Sequence, residues 1–248
     1  MSGIESAELW CVDLGAATPA LHAIEQRTPR LCPADRTRAA SFSDTRVRDE
    51  WLATHIALRL LIERAAGAQW REVTFDRAPR GKPQLDGAPL AFSISHAPGL
   101  ALIGLSWHGG IGVDIERTRQ VRIGPERRAR IEEAGAALSD RPLPSEGGAH
   151  FLQAWVRLEA FSKAEGCGIG RLLTRLGILG ADAAARAQMA SPRELVKALR
   201  ADTQFAATVA DVVIGEDIFA AAALTGGGAP GKPSWLPVSM EGLEKLTA

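Results

Sequence analysis

A long segment from Thr45 to Ala66 contains neither proline nor glycine, and it constrains the fold more than any other stretch of the chain. Tryptophan, leucine and isoleucine recur along it at the spacing of one broad helix face, and Gly67 follows its last residue. The segment is therefore predicted to form one long helix. Its apolar face must be buried against another layer of the protein.

Strand patterns flank this helix on both sides. Leu9–Leu14 is short and apolar, Ala91–Ser95 and Leu100–Ser106 read as paired strands, and Val73–Phe75 reads as a shorter one. The segment from Pro19 to Pro33 is predicted to be a polar connector with helical turns.

A similar order of elements follows residue 107. Ile111–Glu116 alternates as a strand, Ala149–Glu165 reads as a second long helix ended by Gly166, and 206–214 with 218–224 read as a closing hairpin. Pro125–Leu138 is a further predicted helix, and the tail from Gly226 to Pro237 is predicted to be mobile. The repeated order predicts an α+β fold, with small mostly antiparallel sheets and helices packed on one face.

The composition excludes several classes of protein. A chain of 248 residues with 46% hydrophobic residues suits two small units with a sizeable core. The net charge of +0 gives no bulk attraction to nucleic acid or membrane. Three cysteines without paired spacing argue against a disulfide framework. With no signal-peptide pattern and no long apolar run, a cytoplasmic protein is expected.

Two carboxylates lie on one face of the strand that begins at Ile111. Asp114 and Glu116 project to the same side because strand side chains alternate. Side-by-side carboxylates repel each other unless a cation or proton lies between them, and Mg²⁺ favours a few carboxylate oxygens together with phosphate oxygens. An exposed strand edge with solvated acids is the alternative interpretation.

Glu159 and Lys163 lie one helical turn apart on the second long helix. Spacing of this kind often means only a surface ion pair. The large apolar neighbours Trp155 and Phe161 anchor the helix against a core. Glu159 is then a candidate third metal ligand or general base, and Lys163 a candidate phosphate contact or acid.

A third candidate group follows a loop rich in proline and glycine. Gly81-Lys82-Pro83 could hold a lysine rigidly, and Ser95-His96 ends a predicted strand. The group could bind phosphate or a nucleotide, although ordinary turn residues give the same pattern. A Ser-His hydrolase pair is disfavoured because adjacent strand residues point to opposite sides.

Taken in order, these motifs resemble the 4′-phosphopantetheinyl transferase superfamily of the surfactin-synthetase-activating type. The ordered set is more specific than any of its members. The matching segments are Gly81–Pro83, Phe92–His96, Gly112–Glu116, Trp155–Lys163 and Glu165–Ile169.

The resemblance implies an enzyme of the holo-[acyl-carrier-protein] synthase type. Such an enzyme transfers phosphopantetheine from coenzyme A to a serine of an apo acyl or peptidyl carrier protein, and it releases 3′,5′-ADP. The resemblance also implies a pseudo-twofold pair of α+β subdomains, residues 1–106 and 107–248, with the active-site cleft between them. A monomer is expected from this arrangement.

The resemblance implies the following site. Asp114, Glu116 and Glu159 would hold Mg²⁺, with Mn²⁺ as an alternative ion. Five residues would contact coenzyme A. One of them, Arg48, lies in the first long helix, and the others are Lys82, Ser95, His96 and Lys163.

Three departures from the family pattern stand out. Leu158 occupies the position of a family lysine, with Arg157 beside it. In the first long helix the family often has an arginine just before the apolar start; here Asp49 and Glu50 stand immediately before Trp51, so Arg48 is the assigned phosphate contact. Residues 117–150, which in the family help to recognise the carrier, are rich in arginine and alanine.

Two other functions remain open on sequence alone. A Mg²⁺-dependent nuclease or phosphodiesterase could use the same acidic residues, but the neutral net charge and the lack of a basic stripe argue against nucleic acid. A non-catalytic family member that binds coenzyme A or a carrier is suggested by Leu158. Retention of Asp114, Glu116, Glu159 and Lys163 argues against it.

Overall fold

The computed structural model describes residues 7–77, 82–145, 147–180, 190–202 and 207–247. Its strands are β1 (Ala7–Asp13), β2 (Asp76–Arg77), β3 (Pro83–Gln84), β4 (Ala91–Ala97), β5 (Leu100–Ser106), β6 (Ile111–Arg117), β7 (Thr208–Asp211), β8 (Ile218–Leu224) and β9 (Ser234–Trp235). Its helices are α1 (Leu14–Arg27), α2 (Pro33–Ala40), α3 (Thr45–Ala66), α4 (Pro125–Ala137), α5 (Gly147–Ala164), α6 (Ile169–Arg175), α7 (Pro192–Ala201) and α8 (Met240–Thr247).

The strands form two main sheets and one short pair. The first sheet has the order β4-β5-β1-β9, in which β9 alone runs parallel to its neighbour. The second has the order β6-β8-β7 and is antiparallel throughout. β2 pairs only with β3. The predicted α+β class with small, mostly antiparallel sheets is confirmed.

The two main sheets pack against each other and carry helices on their outer faces. Leu102 of β5, Val113 of β6 and Ala222 of β8 belong to one buried cluster between the sheets. A second cluster joins the first sheet to α1 and α3, and a third joins the second sheet to α4 and α5. Alternate strand residues therefore serve two different cores.

The long helices begin and end as their sequences suggest. The Asp44 side chain accepts a hydrogen bond from the Val47 amide, which caps α3, and Gly67 ends it with φ of 101°. α3 matches the predicted Thr45–Ala66, and α5 lies within two residues of the predicted bounds at each end.

The first half of the chain differs from expectation in two places. α1 occupies much of the predicted connector and accommodates Pro19, while the Asp13 side chain caps its first turn by accepting from the Ala16 amide. The residues 73–75 are not a strand. The Val73 carbonyl instead accepts a hydrogen bond from Arg59, and the Arg59 guanidinium lies over the Phe75 ring.

The tail returns to the first half of the molecule. Residues within the predicted mobile segment form β9, and α8 packs on α1 and α3. The division of the chain near residue 107 and the pseudo-twofold relation between its halves stay predictions. Gly81 and Ala206, the latter at the start of the predicted hairpin, lie outside the described residues. Within the described ranges, no helix combines the length and the apolar character needed to cross a membrane.

Candidate active site where two sheets meet helix α5

Strand β6 lies directly against helix α5, and Gly112 makes this approach possible. A Cβ atom at Gly112 would lie 2.0 Å from the Ala160 carbonyl oxygen of α5. The neighbours Ile111 and Val113 face the buried cluster between the sheets. Asp114 and Glu116, spaced by two from Gly112, therefore project on the face turned towards α5, as the alternation predicted.

Asp114 joins three separate elements of the fold. Its Oδ1 accepts hydrogen bonds from Lys163 Nζ of α5 and from Ser95 Oγ of β4, each at 2.7 Å. Lys163 Nζ also donates to the Val113 carbonyl oxygen at 3.0 Å. The Asp114 residue is only 6% exposed. Three predicted site residues, far apart in sequence, thus meet at one carboxylate oxygen.

Negative charge accumulates around this carboxylate. Burial raises the pKa of Asp114, and the charge of Glu116 adds to the rise, while Lys163 and the Ser95 hydrogen bond oppose it. Burial also raises the pKa of Glu159, and the charges of Asp114 and Glu116 act in the same direction. Neighbouring carboxylates therefore disfavour the ionisation of Asp114 and of Glu159.

Cationic side chains balance part of that charge. The Arg119 guanidinium donates two hydrogen bonds to the Glu116 carboxylate, at 3.0 and 2.8 Å, and Lys163 pairs with Asp114. Across the described ranges, no three acidic, histidine or cysteine side chains are arranged so that they could together hold a metal ion. Each of Asp114 and Glu116 is thus paired with a cationic side chain of the protein.

The donor set nevertheless fits Mg²⁺ in its chemistry. Asp114, Glu116 and Glu159 offer only carboxylate oxygens, which hard divalent cations prefer. The raised pKa values of Asp114 and Glu159 mark a local excess of negative charge that a divalent cation would relieve. A cation bound between them would compete with Lys163 and Arg119 for these carboxylates.

Lys82 braces the junction between β6 and α5. Its Nζ donates to the Ile111 carbonyl oxygen at 2.6 Å and to the Lys163 carbonyl oxygen at 2.9 Å. Burial, with a smaller contribution from the charge of Lys163, lowers the pKa of Lys82 to about 8. A cation that is held rigidly beside the carboxylates can contact a phosphate oxygen.

The structure separates His96 and Arg48 from this cluster. His96 is exposed and lies on the opposite face of β4 from Ser95, near His55 of α3. Burial lowers the pKa of His55 to about 4, and the charge of His96 contributes to the lowering. Arg48, in the first turn of α3, pairs with Asp49 at 3.2 Å.

The two residues of α5 at which the chain departs from the family pattern, Leu158 and Arg157, both point into the core. Leu158 is fully buried among the apolar residues that join α5 to the second sheet. Arg157 is also fully buried, and it donates two hydrogen bonds to the Asp211 carboxylate, both at 2.7 Å. Arg157 therefore ties α5 to β7 and does not substitute for a lysine at the site.

A cleft of about 280 Å³ opens beside the cluster. Lys82, Glu159 and Lys163 line its polar side. Its apolar lining includes Phe92 and Ile94 from β4. Residues from before and after position 107 therefore share this cleft.

Sequence reasoning missed two polar residues at the site. Ser93 Oγ accepts a hydrogen bond from the Val113 amide at 3.1 Å, and Arg119 holds Glu116. The period-two spacing of Ser93 and Ser95 was the available signal for the first. The signal for Arg119 was its position three residues after Glu116.

Two proteins of known name are similar to this chain. A putative 4′-phosphopantetheinyl transferase of Synechocystis sp. is 28% identical over 162 residues, covering 56% of this chain and 64% of that protein. The 4′-phosphopantetheinyl transferase HetI of Nostoc sp. is 28% identical over 173 residues, covering 68% and 72%. No family model matches the chain. The two relatives confirm the resemblance to the superfamily, and their names do not specify the surfactin-synthetase-activating type.

Proposed function

We propose that this chain, which is similar in sequence to 4′-phosphopantetheinyl transferases, is itself an enzyme of the holo-[acyl-carrier-protein] synthase type. It transfers 4′-phosphopantetheine from coenzyme A to a serine of an apo acyl or peptidyl carrier protein and releases 3′,5′-ADP. The observation that carries the proposal is the meeting of Asp114, Lys163 and Ser95 beside Glu159. Phosphoryl transfer needs such an arrangement because catalysis rests on positioning and on neutralisation of phosphate charge.

The three carboxylates of Asp114, Glu116 and Glu159 would hold Mg²⁺, or Mn²⁺ in its place. A bound divalent cation neutralises charge on the pyrophosphate oxygens. Lys163 serves the same purpose from α5, since its ammonium can turn from Asp114 to the leaving 3′,5′-ADP phosphate. Lys82 remains fixed between two backbone carbonyls and contacts the nucleotide side of coenzyme A.

The carrier protein supplies the nucleophile, which explains why this chain needs no Ser-His pair. The serine Oγ attacks the phosphorus next to pantetheine, a new O–P bond forms, and the bond from that phosphorus to 3′,5′-ADP breaks. The serine proton passes to the Glu159 carboxylate. A carboxylate positioned within hydrogen-bond reach of the serine hydroxyl can act as the general base of this step.

The cleft beside the cluster suits the rest of the substrate. Phe92, Ile94 and Ile169 give it an apolar wall next to the charged Lys82 and Lys163. Pantetheine combines alkyl segments with amides, so such a wall can bury it while the phosphates face the cations.

The first experiment is an intact-mass measurement of apo carrier proteins incubated with this chain, coenzyme A and Mg²⁺. Carriers of fatty-acid, polyketide and nonribosomal-peptide type are tested in parallel. We expect one carrier to gain one phosphopantetheine, and we expect EDTA to abolish the gain.

A matched pair of variants links the activity to the site. Glu159→Gln should lower the rate of transfer at least about 100-fold while the fold is retained, since it removes the proton acceptor and one metal ligand. Glu241→Gln, which alters an exposed glutamate that pairs with Lys245 on α8, should transfer at the rate of the unaltered chain. Unchanged transfer by Glu159→Gln would exclude the assigned site. Measurable coenzyme A binding without any mass gain would instead indicate a non-catalytic binding protein.

A further inference from the structure

Ser95 lies where it can orient Asp114. On β4, Ser93, Ser95 and Ala97 face the second sheet, whereas Phe92 and Ile94 pack towards α1 and α3. Both serines bridge from β4 to β6, yet they bind different groups. Ser93 Oγ accepts from the Val113 amide, while Ser95 Oγ donates to the Asp114 carboxylate.

The hydrogen bond from Ser95 is short and directed at one oxygen. Its length is 2.7 Å, in the range of hydroxyl–carboxylate bonds, and its acceptor is the same Oδ1 that Lys163 binds. Neither contact uses Oδ2. Because Asp114 is 6% exposed, water cannot readily replace a lost donor.

The two donors to Oδ1 respond differently to a cation. Lys163 carries a positive charge, so a divalent ion at Asp114 competes with it. The Ser95 hydroxyl is neutral and can remain in place while Lys163 turns to a phosphate. Of these two donors among the described residues, Ser95 is therefore the one that can hold the carboxylate in one orientation both before and after an ion binds.

We propose that Ser95 is a positioning residue that orients the Asp114 carboxylate for a divalent cation through its hydrogen bond to Oδ1. The inference rests on the metal-dependent function proposed above. Donors that hold a ligating carboxylate commonly contribute about 10-fold to 100-fold to metal affinity. Ser95 thereby acts through Asp114, in addition to any contact with the nucleotide.

The test measures Mn²⁺ binding by calorimetry, without carrier and without turnover. Ser95→Ala should weaken Mn²⁺ binding about tenfold relative to the unaltered chain. Ser95→Thr, which keeps the hydroxyl, should restore the affinity. Ser93→Ala is the matched control, because it removes the neighbouring hydroxyl of the same strand and leaves Asp114 with both donors.

The titration contains no coenzyme A, so a contact of Ser95 with the nucleotide cannot contribute to the measured Mn²⁺ affinity. Mn²⁺ affinity that is unchanged in Ser95→Ala, or weakened equally in Ser93→Ala, would overturn the inference while leaving the proposed transferase intact. If the unaltered chain bound no Mn²⁺, both this inference and the metal-dependent part of the proposed function would be wrong.

Discussion

Among the single residues of the proposed site, Lys82 is a cation whose pKa is lowered by burial. Two of its three ammonium hydrogens bind backbone carbonyls, so its position does not depend on a bound substrate. Its pKa of about 8 means that it is mostly charged at neutral pH and loses its charge in mildly alkaline solution. The contact to a phosphate should therefore depend on pH.

We expect the dissociation constant of coenzyme A to rise about tenfold between pH 7 and pH 9, because only the charged form of Lys82 attracts phosphate. Calorimetric titration across this range measures the effect. Lys82→Met should bind more weakly at neutral pH and show a flatter dependence. An identical pH dependence in Lys82→Met would assign the effect to another group.

A loss of stability at Lys82 would not explain weaker coenzyme A binding at high pH. The folded-state pKa of Lys82 lies below the ordinary lysine value of 10.5, so between pH 8 and 10.5 the unfolded chain binds more protons. The contribution of Lys82 to the free energy of unfolding consequently rises with pH in that window. Weaker coenzyme A binding above pH 8 therefore cannot come from a loss of stability at this residue.

Among the secondary-structure elements, the contact between β6 and α5 determines the geometry of the site. Gly112 lets the strand approach the helix backbone, and Asp114, two residues further on, then reaches Lys163. A methyl group at Gly112 would collide with the Ala160 carbonyl at 2.0 Å and with the Ala164 amide nitrogen at 2.4 Å. These are backbone atoms of a helix and cannot turn aside.

Gly112→Ala should lower the free energy of unfolding by about 1–3 kcal/mol or more and should abolish transfer, since α5 must move away from β6. Urea unfolding and the intact-mass assay measure the two effects. Gly170→Ala is the matched control, because an added Cβ in α6 meets nothing within 4 Å and alanine favours a helix. Stability and activity that match the unaltered chain in Gly112→Ala would refute the close approach.

At the scale of the whole molecule, the last part of the chain closes the fold on its first part. The Leu236 amide donates to the Cys11 carbonyl at 2.8 Å, as β9 runs beside β1. Leu236 and Leu243 are both buried in the core that also contains α1 and α3. The strands β6, β7 and β8 of the second sheet lie in the chain between β5 and β9, which both belong to the first sheet. The chain therefore leaves the first sheet to form the second one and then returns to the cluster that contains α1 and α3.

Leu243→Ala should lower the free energy of unfolding by about 2–5 kcal/mol, as expected for a fully buried leucine that leaves a cavity. Val238→Ala, at a 51% exposed position of the same tail, should change it by less than about 0.5 kcal/mol. Urea unfolding of the two variants gives the comparison. Equal, small effects would mean that the tail is not part of the core.

Local patterns predicted α3, α5, β6 and the paired strands β4 and β5 closely, because their signals lie within one element. Helix α1 was predicted only as helical turns in a connector that begins at Pro19, although Asp13 was available as a cap for an earlier start. The strand predicted at Val73–Phe75 does not form because these residues make tertiary contacts instead. Arg59 donates a hydrogen bond to the Val73 carbonyl, and its guanidinium lies over the Phe75 ring. β9 has no periodic pattern and exists only through its pairing with β1.

Local spacing along the chain is enough to show which side chains share a face: Asp114 with Glu116 on a strand, and Glu159 with Lys163 on a helix. The packing of the folded chain brings these faces together, turns Ser95 rather than His96 towards Asp114, and places Arg119 against Glu116. Periodicity follows from backbone geometry, which acts over a few residues. Contact between faces depends on how three apolar clusters pack residues that are far apart in the chain.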